Sequence, residues 1–136
     1  MGKLSVPDDI LKKPGSLTEE EFELIKRHSE WGDELLAKLG FPSQVRRLVR
    51  DHHERVGGSG YPFGACGEQL DLETRIIGAC DVYDALISPR VYRGAWPHER
   101  AIELLRDQAG RQFDERCIDA LERVLAREQP ELALAV

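Results

Sequence analysis

The 136-residue chain is long enough for one domain with a hydrophobic core, and a composition of 41% hydrophobic and 32% charged residues is typical of a globular protein. Its net charge of −6 argues against general nucleic-acid binding, so we expect no DNA partner. No apolar run approaches the roughly 20 residues that a membrane span needs. Three cysteines without paired spacing and a start without an apolar signal core favour a reduced, cytoplasmic location.

The first part of the chain predicts an extended leading segment, residues 1–16, with at most one helical turn around residues 8–11. A long helix should follow, because Thr18 and Glu21 have the spacing of a capping box and Gly40 is a typical helix end. Its predicted apolar face contains Phe22, Ile25, Gly32, Leu35, Leu36 and Leu39, together with His28. A single histidine at such a position is more often a hydrogen-bonded core residue than a metal ligand.

A second helix is predicted from Pro42 to about His53, with Val45, Leu48 and Val49 on its apolar face. His52 continues that face, and His53 is its neighbour. Two helices whose apolar faces each include a histidine would bring three imidazoles towards one interior. We therefore expect His28, His52 and His53 to bind a metal ion, the alternative being a surface turn that happens to contain His-His.

The third predicted helix, residues 72–88, follows a glycine-rich loop. Its expected inward positions are Ile76, Ile77, Cys80, Asp81, Asp84 and Leu86 or Ile87. Because buried carboxylates are normally paired or bound to metal, Asp81 is predicted to be a metal ligand and Asp84 to support one. The alternative is that one carboxylate bonds to nearby backbone and the other faces water.

The remaining predicted elements are a turn carrying Arg90 and Arg93, a helix over residues 98–109, and a final helix that Phe113 and Asp114 introduce. Guanidinium groups suit phosphate oxygens, although a solvated surface is the alternative for this turn. His98 is expected to be structural or idle. Residues 1–136 should form a single domain built as an all-α bundle, in which the tail, residues 128–136, should fray.

Several motifs together resemble the HD-GYP domain of the HD phosphohydrolase superfamily. They are Val6-Pro7-Asp8, Lys13-Pro14-Gly15, Leu17-Thr18, His28, His52-His53-Glu54-Arg55, Gly58-Ser59-Gly60-Tyr61-Pro62 and Cys80-Asp81-Val82-Tyr83-Asp84. The resemblance implies an HD-type helical bundle. It also implies a metal-dependent phosphodiesterase that opens cyclic di-GMP, a bacterial second messenger, with iron or manganese as the usual metal.

The resemblance also implies roles for individual residues. The metal ligands would be His28, His52, His53 and Asp81, and catalytic roles would fall to Lys3, Asp81 and Asp84. The substrate-binding residues would be Gly58, Gly60, Tyr61, Pro62, Arg90 and Arg93. The Gly-Tyr-Pro loop is also associated with binding to diguanylate cyclase domains.

Two departures from the family pattern lead to further expectations. The His-Asp pair that names the family should lie just before Gly2 and Lys3, where Met1 stands, so the bundle is expected to be truncated at its N-terminus. Gly57 stands where aspartate is usual. We expect one or two divalent ions and association of this chain with a second copy or an upstream domain. The functional alternatives are a phosphodiesterase, a non-catalytic module that binds cyclic di-GMP or a cyclase partner, and a structural helical domain.

Overall fold

Seven α-helices organise the part of the chain that the computed structural model describes, residues 6–11, 13, 15–89 and 94–128. In chain order they are α1 (Asp8–Leu11), α2 (Glu19–Lys26), α3 (His28–Lys38), α4 (Ser43–Asp51), α5 (Leu72–Ile87), α6 (His98–Asp107) and α7 (Glu115–Glu128), with a 3-10 turn at Gly67–Gln69. Only two isolated β-bridges occur among the described residues. The predicted all-α fold is confirmed. Lys3, Arg90 and Arg93 lie outside the described residues.

The predicted capping box is present at the start of α2. The Glu21 backbone N–H donates to Thr18 Oγ1 at 3.2 Å, and the Thr18 N–H donates to Glu21 Oε2 at 2.8 Å. The prediction of one helix up to Gly40 is wrong, because α2 ends at Lys26 and α3 begins at His28. The His28 ring bonds to the Ile25 carbonyl oxygen at 2.6 Å. A side chain that takes a carbonyl from the helical ladder in this way accounts for the break.

The second predicted helix is shorter than expected, since α4 ends at Asp51 and both His52 and His53 lie in the turn that follows. The Glu54 N–H closes this turn on the Asp51 carbonyl oxygen at 2.8 Å. Outside the regular helix, the two histidines are freed from the 100° separation that helix neighbours have. Their rings can therefore approach the same point.

The hydrophobic core lies where α5, α6 and α7 meet. It contains Ala79, Tyr83, Leu86, Ala101, Leu105, Phe113, Cys117 and Ile118, all of them buried. On α7, the apolar spacing correctly predicts Cys117 and Ile118 as inward, whereas Val124 is 46% exposed. These three helices form the packed base on which the turn after α4 rests.

The predicted inward face of α5 is wrong at five positions and right at Leu86, which is buried. Ile76, Ile77, Cys80, Asp81 and Asp84 are exposed, and the buried positions of this helix are Thr74, Gly78, Ala79, Tyr83 and Leu86. Because α5 is apolar on most of its circumference, periodicity alone does not select a face. The small residues Gly78 and Ala79 allow close approach of neighbouring backbone instead, and a Cβ at Gly78 would lie 3.6 Å from the His52 carbonyl oxygen.

Several residues predicted to face the core from the first two helices are also exposed. They are Phe22, Leu35, Leu39 and Val45, at 43%, 40%, 64% and 37%. On α3, burial is concentrated instead on His28, Ser29, Gly32 and Leu36. The apolar stripe of this helix is therefore wider than the surface that α4 covers.

Candidate metal centre and adjoining cleft

Three histidine rings converge where α3 meets the turn after α4. His28 is 2% exposed, and His52 and His53 are half-buried. One ring nitrogen from each residue lies within 4.8 Å of the others, and the His52 and His53 ring centroids are 3.9 Å apart. In the part of the chain that is described, no other group of three His, Cys, Asp or Glu side chains has this spacing. The sequence-based expectation that these three imidazoles lie close together is confirmed by their positions.

Backbone carbonyls orient two of the three rings. His28 Nδ1 lies 2.6 Å from the Ile25 carbonyl oxygen, and His52 Nδ1 lies 2.8 Å from the Val49 carbonyl oxygen. A carbonyl only accepts, so each Nδ1 carries the proton. In the neutral rings the lone pair is then on Nε2, and the two Nε2 atoms lie 3.4 Å apart.

This donor set fits a cation. Two imidazole lone pairs that point at each other repel unless a proton or a metal ion lies between them. A metal-binding histidine commonly donates its other ring N–H to a backbone carbonyl or a similar acceptor, which fixes the tautomer. His28, His52 and His53 could therefore hold a divalent ion through ring nitrogens.

The carboxylates of α5 are not part of this group. Asp81 is exposed and its ligand atoms are outside the three-histidine spacing, although its charge acts on both Arg55 and Tyr61. Asp84 is exposed and lies 3.5 Å from Ser88 Oγ, near the C-terminal end of α5. Their expected burial is wrong, because the side of α5 that packs on α6 and α7 is the opposite one. Their predicted roles stay predictions.

The glycine-rich turn is held against the metal centre by close backbone contacts. A Cβ at Gly60 would lie 2.4 Å from Glu54 Cα and 2.5 Å from the His53 carbonyl oxygen, so only glycine fits there. Gly58 has φ of +79°, and the Tyr61–Pro62 peptide bond is cis. The buried Glu54 accepts a hydrogen bond from the Phe63 N–H at 2.7 Å. Of the predicted substrate-binding residues, Gly60 and Tyr61 lie beside His53, and Gly58 and Pro62 belong to the same turn.

Tyr61 forms the connection between the histidines and an open cleft. Its ring lies 4.8 Å from that of His53, and burial raises the pKa of its phenol to about 12, despite the opposing effect of the Arg55 guanidinium. Burial also lowers the pKa of Arg55. The cleft has a volume of about 320 Å³ and is lined by Phe22, Lys26, His53, Arg55, Ser59, Gly60, Tyr61 and Gln112.

Sequence reasoning missed five of these cleft residues: Phe22, Lys26, Arg55, Ser59 and Gln112. The separation of four between Phe22 and Lys26 on one helix is a signal that they share a face. No comparable signal exists for Gln112. It reaches the cleft because the loop between α6 and α7 folds back on the glycine-rich turn, where its carbonyl oxygen accepts from the Val56 N–H at 3.2 Å.

Comparison with known proteins places this geometry in a family. The chain matches the sequence model of the HD domain over residues 1–117. It is 48% identical over 90% of its length to the cyclic di-GMP phosphodiesterase response regulator RpfG of Xanthomonas campestris, and 37% identical over 92% to the 3'3'-cGAMP-specific phosphodiesterase 3 of Vibrio cholerae. These matches cover 33% and 27% of the two relatives, so the chain spans about a third or less of their length.

A solved structure shows the same fold. The HDG"Y"P protein Bd1817 of Bdellovibrio bacteriovorus superposes with a TM-score of 0.69 at 24% identity, over 91% of this chain and 39% of that protein. The family match, the histidine cluster and the glycine-rich turn all agree with the resemblance seen in the sequence. The chain therefore belongs to the HD domain family.

Proposed function

We propose that this domain is a metal-dependent phosphodiesterase of the HD-GYP type that acts on cyclic di-GMP. The observation that carries the proposal is the convergence of His28, His52 and His53, two of which, His28 and His52, have Nδ1 turned to a backbone carbonyl. The relatives named as cyclic dinucleotide phosphodiesterases support the substrate class.

His28, His52 and His53 would hold one divalent ion. The Asp81 carboxylate is close enough for its charge to raise the pKa of Tyr61, whose ring lies beside His53. Imidazole ligands suit first-row transition metals, and we propose iron or manganese, as one or two ions. When bound, such an ion supplies Lewis acidity, which activates water and offsets negative charge on phosphate oxygens.

The protein's own residues contribute binding and orientation. The ammonium of Lys26 and the guanidinium of Arg55 give the cleft a positive wall, which favours a phosphodiester over an uncharged ligand. The Tyr61 phenol keeps its proton at neutral pH and can donate it to a phosphate or sugar oxygen. We further propose that Lys3, Arg90 and Arg93 contact the substrate, and that Asp81 and Asp84 assist catalysis from α5.

The test is hydrolysis of cyclic di-GMP by the full chain with Mn²⁺ or Fe²⁺. We expect turnover that His52→Ala reduces by at least a hundredfold. His98→Ala should retain wild-type turnover, since His98 bonds to the Tyr83 hydroxyl at 2.8 Å, outside the cluster. Absence of turnover with either metal, or equal turnover by wild type and His52→Ala, would contradict the proposal.

A non-catalytic module that binds cyclic di-GMP or a diguanylate cyclase domain is the second candidate. The observation that favours it is the absence of a carboxylate from the three-histidine group in the described chain. Nucleotide or cyclase-domain binding in a calorimeter without hydrolysis would support this candidate over the enzyme. Cytoplasmic location and association with a second copy or an upstream domain stay predictions. Within the described ranges, no helix is long and apolar enough to cross a bilayer.

A further inference from the structure

An exposed aromatic side chain stands at the outer wall of the cleft. Phe22 projects from α2 and is 43% exposed, although its position in the apolar stripe predicts burial. Its ring meets Tyr61 edge-on, with centroids 6.1 Å apart, and Tyr61 in turn lies 4.8 Å from His53. A continuous series of rings therefore leads from the metal centre to an open aromatic surface. Such a surface is suited to stacking against a nucleobase.

A hydrogen-bond donor accompanies this ring. Lys26 Nζ lies 4.8 Å from the Phe22 ring centroid and 6.0 Å from that of Tyr61. The ammonium bonds to Glu23 Oε1 at 2.6 Å, but the Glu23 side chain is 68% exposed, and a surface pair of this kind contributes little. Because an ammonium has three N–H groups, the pair leaves donors for a ligand in the cleft.

The chemistry of the donor distinguishes between purines. Guanine presents two acceptors, O6 and N7, on the same edge, and lysine is one of its usual partners. Adenine presents an amino group in place of O6, which an ammonium cannot satisfy. A cleft of about 320 Å³ is at the lower end of ligand-pocket volumes, which suits one base more than a whole cyclic dinucleotide.

We propose that Phe22 and Lys26 form a nucleobase subsite that prefers guanine to adenine, beside His28, His52 and His53. The proposal rests on the proposed function, since it identifies where one base of a cyclic dinucleotide lies. Phe22 supplies the stacking surface, Lys26 reads the O6 and N7 edge, and Gln112 forms the neighbouring wall.

The test uses ligands that are not phosphodiesters, so binding is measured without hydrolysis. Equilibrium dialysis of the Mn²⁺-loaded full chain against GMP, AMP and inorganic phosphate separates base contacts from phosphate contacts. We expect wild type to bind GMP more tightly than AMP, and both more tightly than phosphate. Loss of one stacking contact should weaken GMP binding to Phe22→Ala by about 5- to 150-fold and leave phosphate binding unchanged.

Matched variants make the outcome specific. Phe22→Trp should restore GMP binding, and Phe41→Ala, which removes a ring of similar exposure (46%) outside the cleft, should bind GMP like wild type. Lys26→Met keeps an apolar stem but removes the donors, and should bring the GMP-to-AMP affinity ratio close to one. The subsite would be overturned if Phe22→Ala bound GMP as tightly as wild type, or if Lys26→Met kept the wild-type GMP-to-AMP affinity ratio. It would also be overturned if wild type bound neither nucleotide more tightly than phosphate.

Failure of the subsite and failure of the proposed function would give different results. Wild-type chain that binds GMP through Phe22 but never hydrolyses cyclic di-GMP would refute the enzyme and leave the subsite intact. Chain that hydrolyses cyclic di-GMP through His52, but binds GMP no better than phosphate, would refute the subsite and leave the enzyme intact.

Discussion

At the residue scale, the site depends on how neighbouring backbone orients two of the three imidazoles. His28 and His52 each bond to the carbonyl three residues earlier, which fixes the proton on Nδ1 and turns Nε2 towards the other ring. The sequence could predict the meeting of these rings, because both histidines continue apolar faces. It could not predict the tautomers, since these depend on where each helix ends.

Gly60 is the position in the site where a larger residue would be tolerated least. An added Cβ would lie 2.4 to 2.5 Å from backbone atoms of His53, Glu54 and Arg55, which cannot give way as a flexible side chain could. Gly60→Ala should therefore lower the free energy of unfolding by about 1 to 3 kcal/mol in urea denaturation. Gly94→Ala is the matched control, because a Cβ there meets nothing within 4 Å, and it should leave stability nearly unchanged. Equal stability of both variants would show that the turn does not pack as described.

At the scale of elements, local signals located helix ends better than helix faces. The capping box at Thr18 and the helical turn at residues 8–11 were predicted and are present. The break at Arg27 and the buried face of α5 were not predicted. The break depends on a hydrogen bond from the His28 ring to the carbonyl three residues earlier, and the buried face depends on how Gly78 and Ala79 pack against other parts of the chain.

The Thr18 cap can be tested directly. Thr18→Ala removes the acceptor for the Glu21 N–H and should cost about 1 kcal/mol of unfolding free energy. Thr18→Ser keeps a hydroxyl at the same position and should recover most of this loss. Thermal denaturation of the two variants checks the expectation, and an alanine variant as stable as the serine variant would contradict it.

Asp114 links the start of α7 to α5 and predicts a pH dependence. Its carboxylate accepts hydrogen bonds from the Arg116 side chain and from Arg75, and these arginines hold the pKa of Asp114 below its ordinary value. Since the folded pKa is lowered, the stabilisation is fully present above the unfolded pKa of about 3.9 and is lost as pH falls through the folded pKa.

Asp114→Asn should accordingly cost about 1.5 to 3 kcal/mol of unfolding free energy at pH 7. The difference from wild type should shrink towards pH 3 and below, as the wild-type carboxyl becomes protonated. Urea denaturation of both proteins over this pH range measures the difference. A gap that stays constant with pH would show that the ionised carboxylate does not stabilise the fold.

At the scale of the whole molecule, the packed core and the metal centre occupy different regions. The core lies between α5, α6 and α7, whereas the histidines come from α3 and the turn after α4. The sequence was sufficient for the helical class and for the family. It was not sufficient for the cleft, because Gln112 reaches it only through tertiary folding, with its carbonyl oxygen accepting from the Val56 N–H at 3.2 Å.

This separation predicts that stability and metal affinity can be changed independently. Ile118 is 0% exposed in the core, so Ile118→Ala should cost about 2 to 5 kcal/mol of unfolding free energy. Metal affinity of the folded fraction should stay within a factor of two of wild type. Val124→Ala, on an exposed part of the same helix, should change stability by less than about 0.5 kcal/mol. A parallel loss of metal affinity in Ile118→Ala would show that core and site are coupled.

The convergence of three imidazoles on one cation is the central claim, and calorimetric titration of the metal-free chain with Mn²⁺ tests it most directly. We predict saturable binding by wild type and by His98→Ala, and an affinity at least tenfold weaker in His52→Ala. Wild-type protein that binds no Mn²⁺ or Fe²⁺, or a His52→Ala variant that binds as tightly as wild type, would contradict the account.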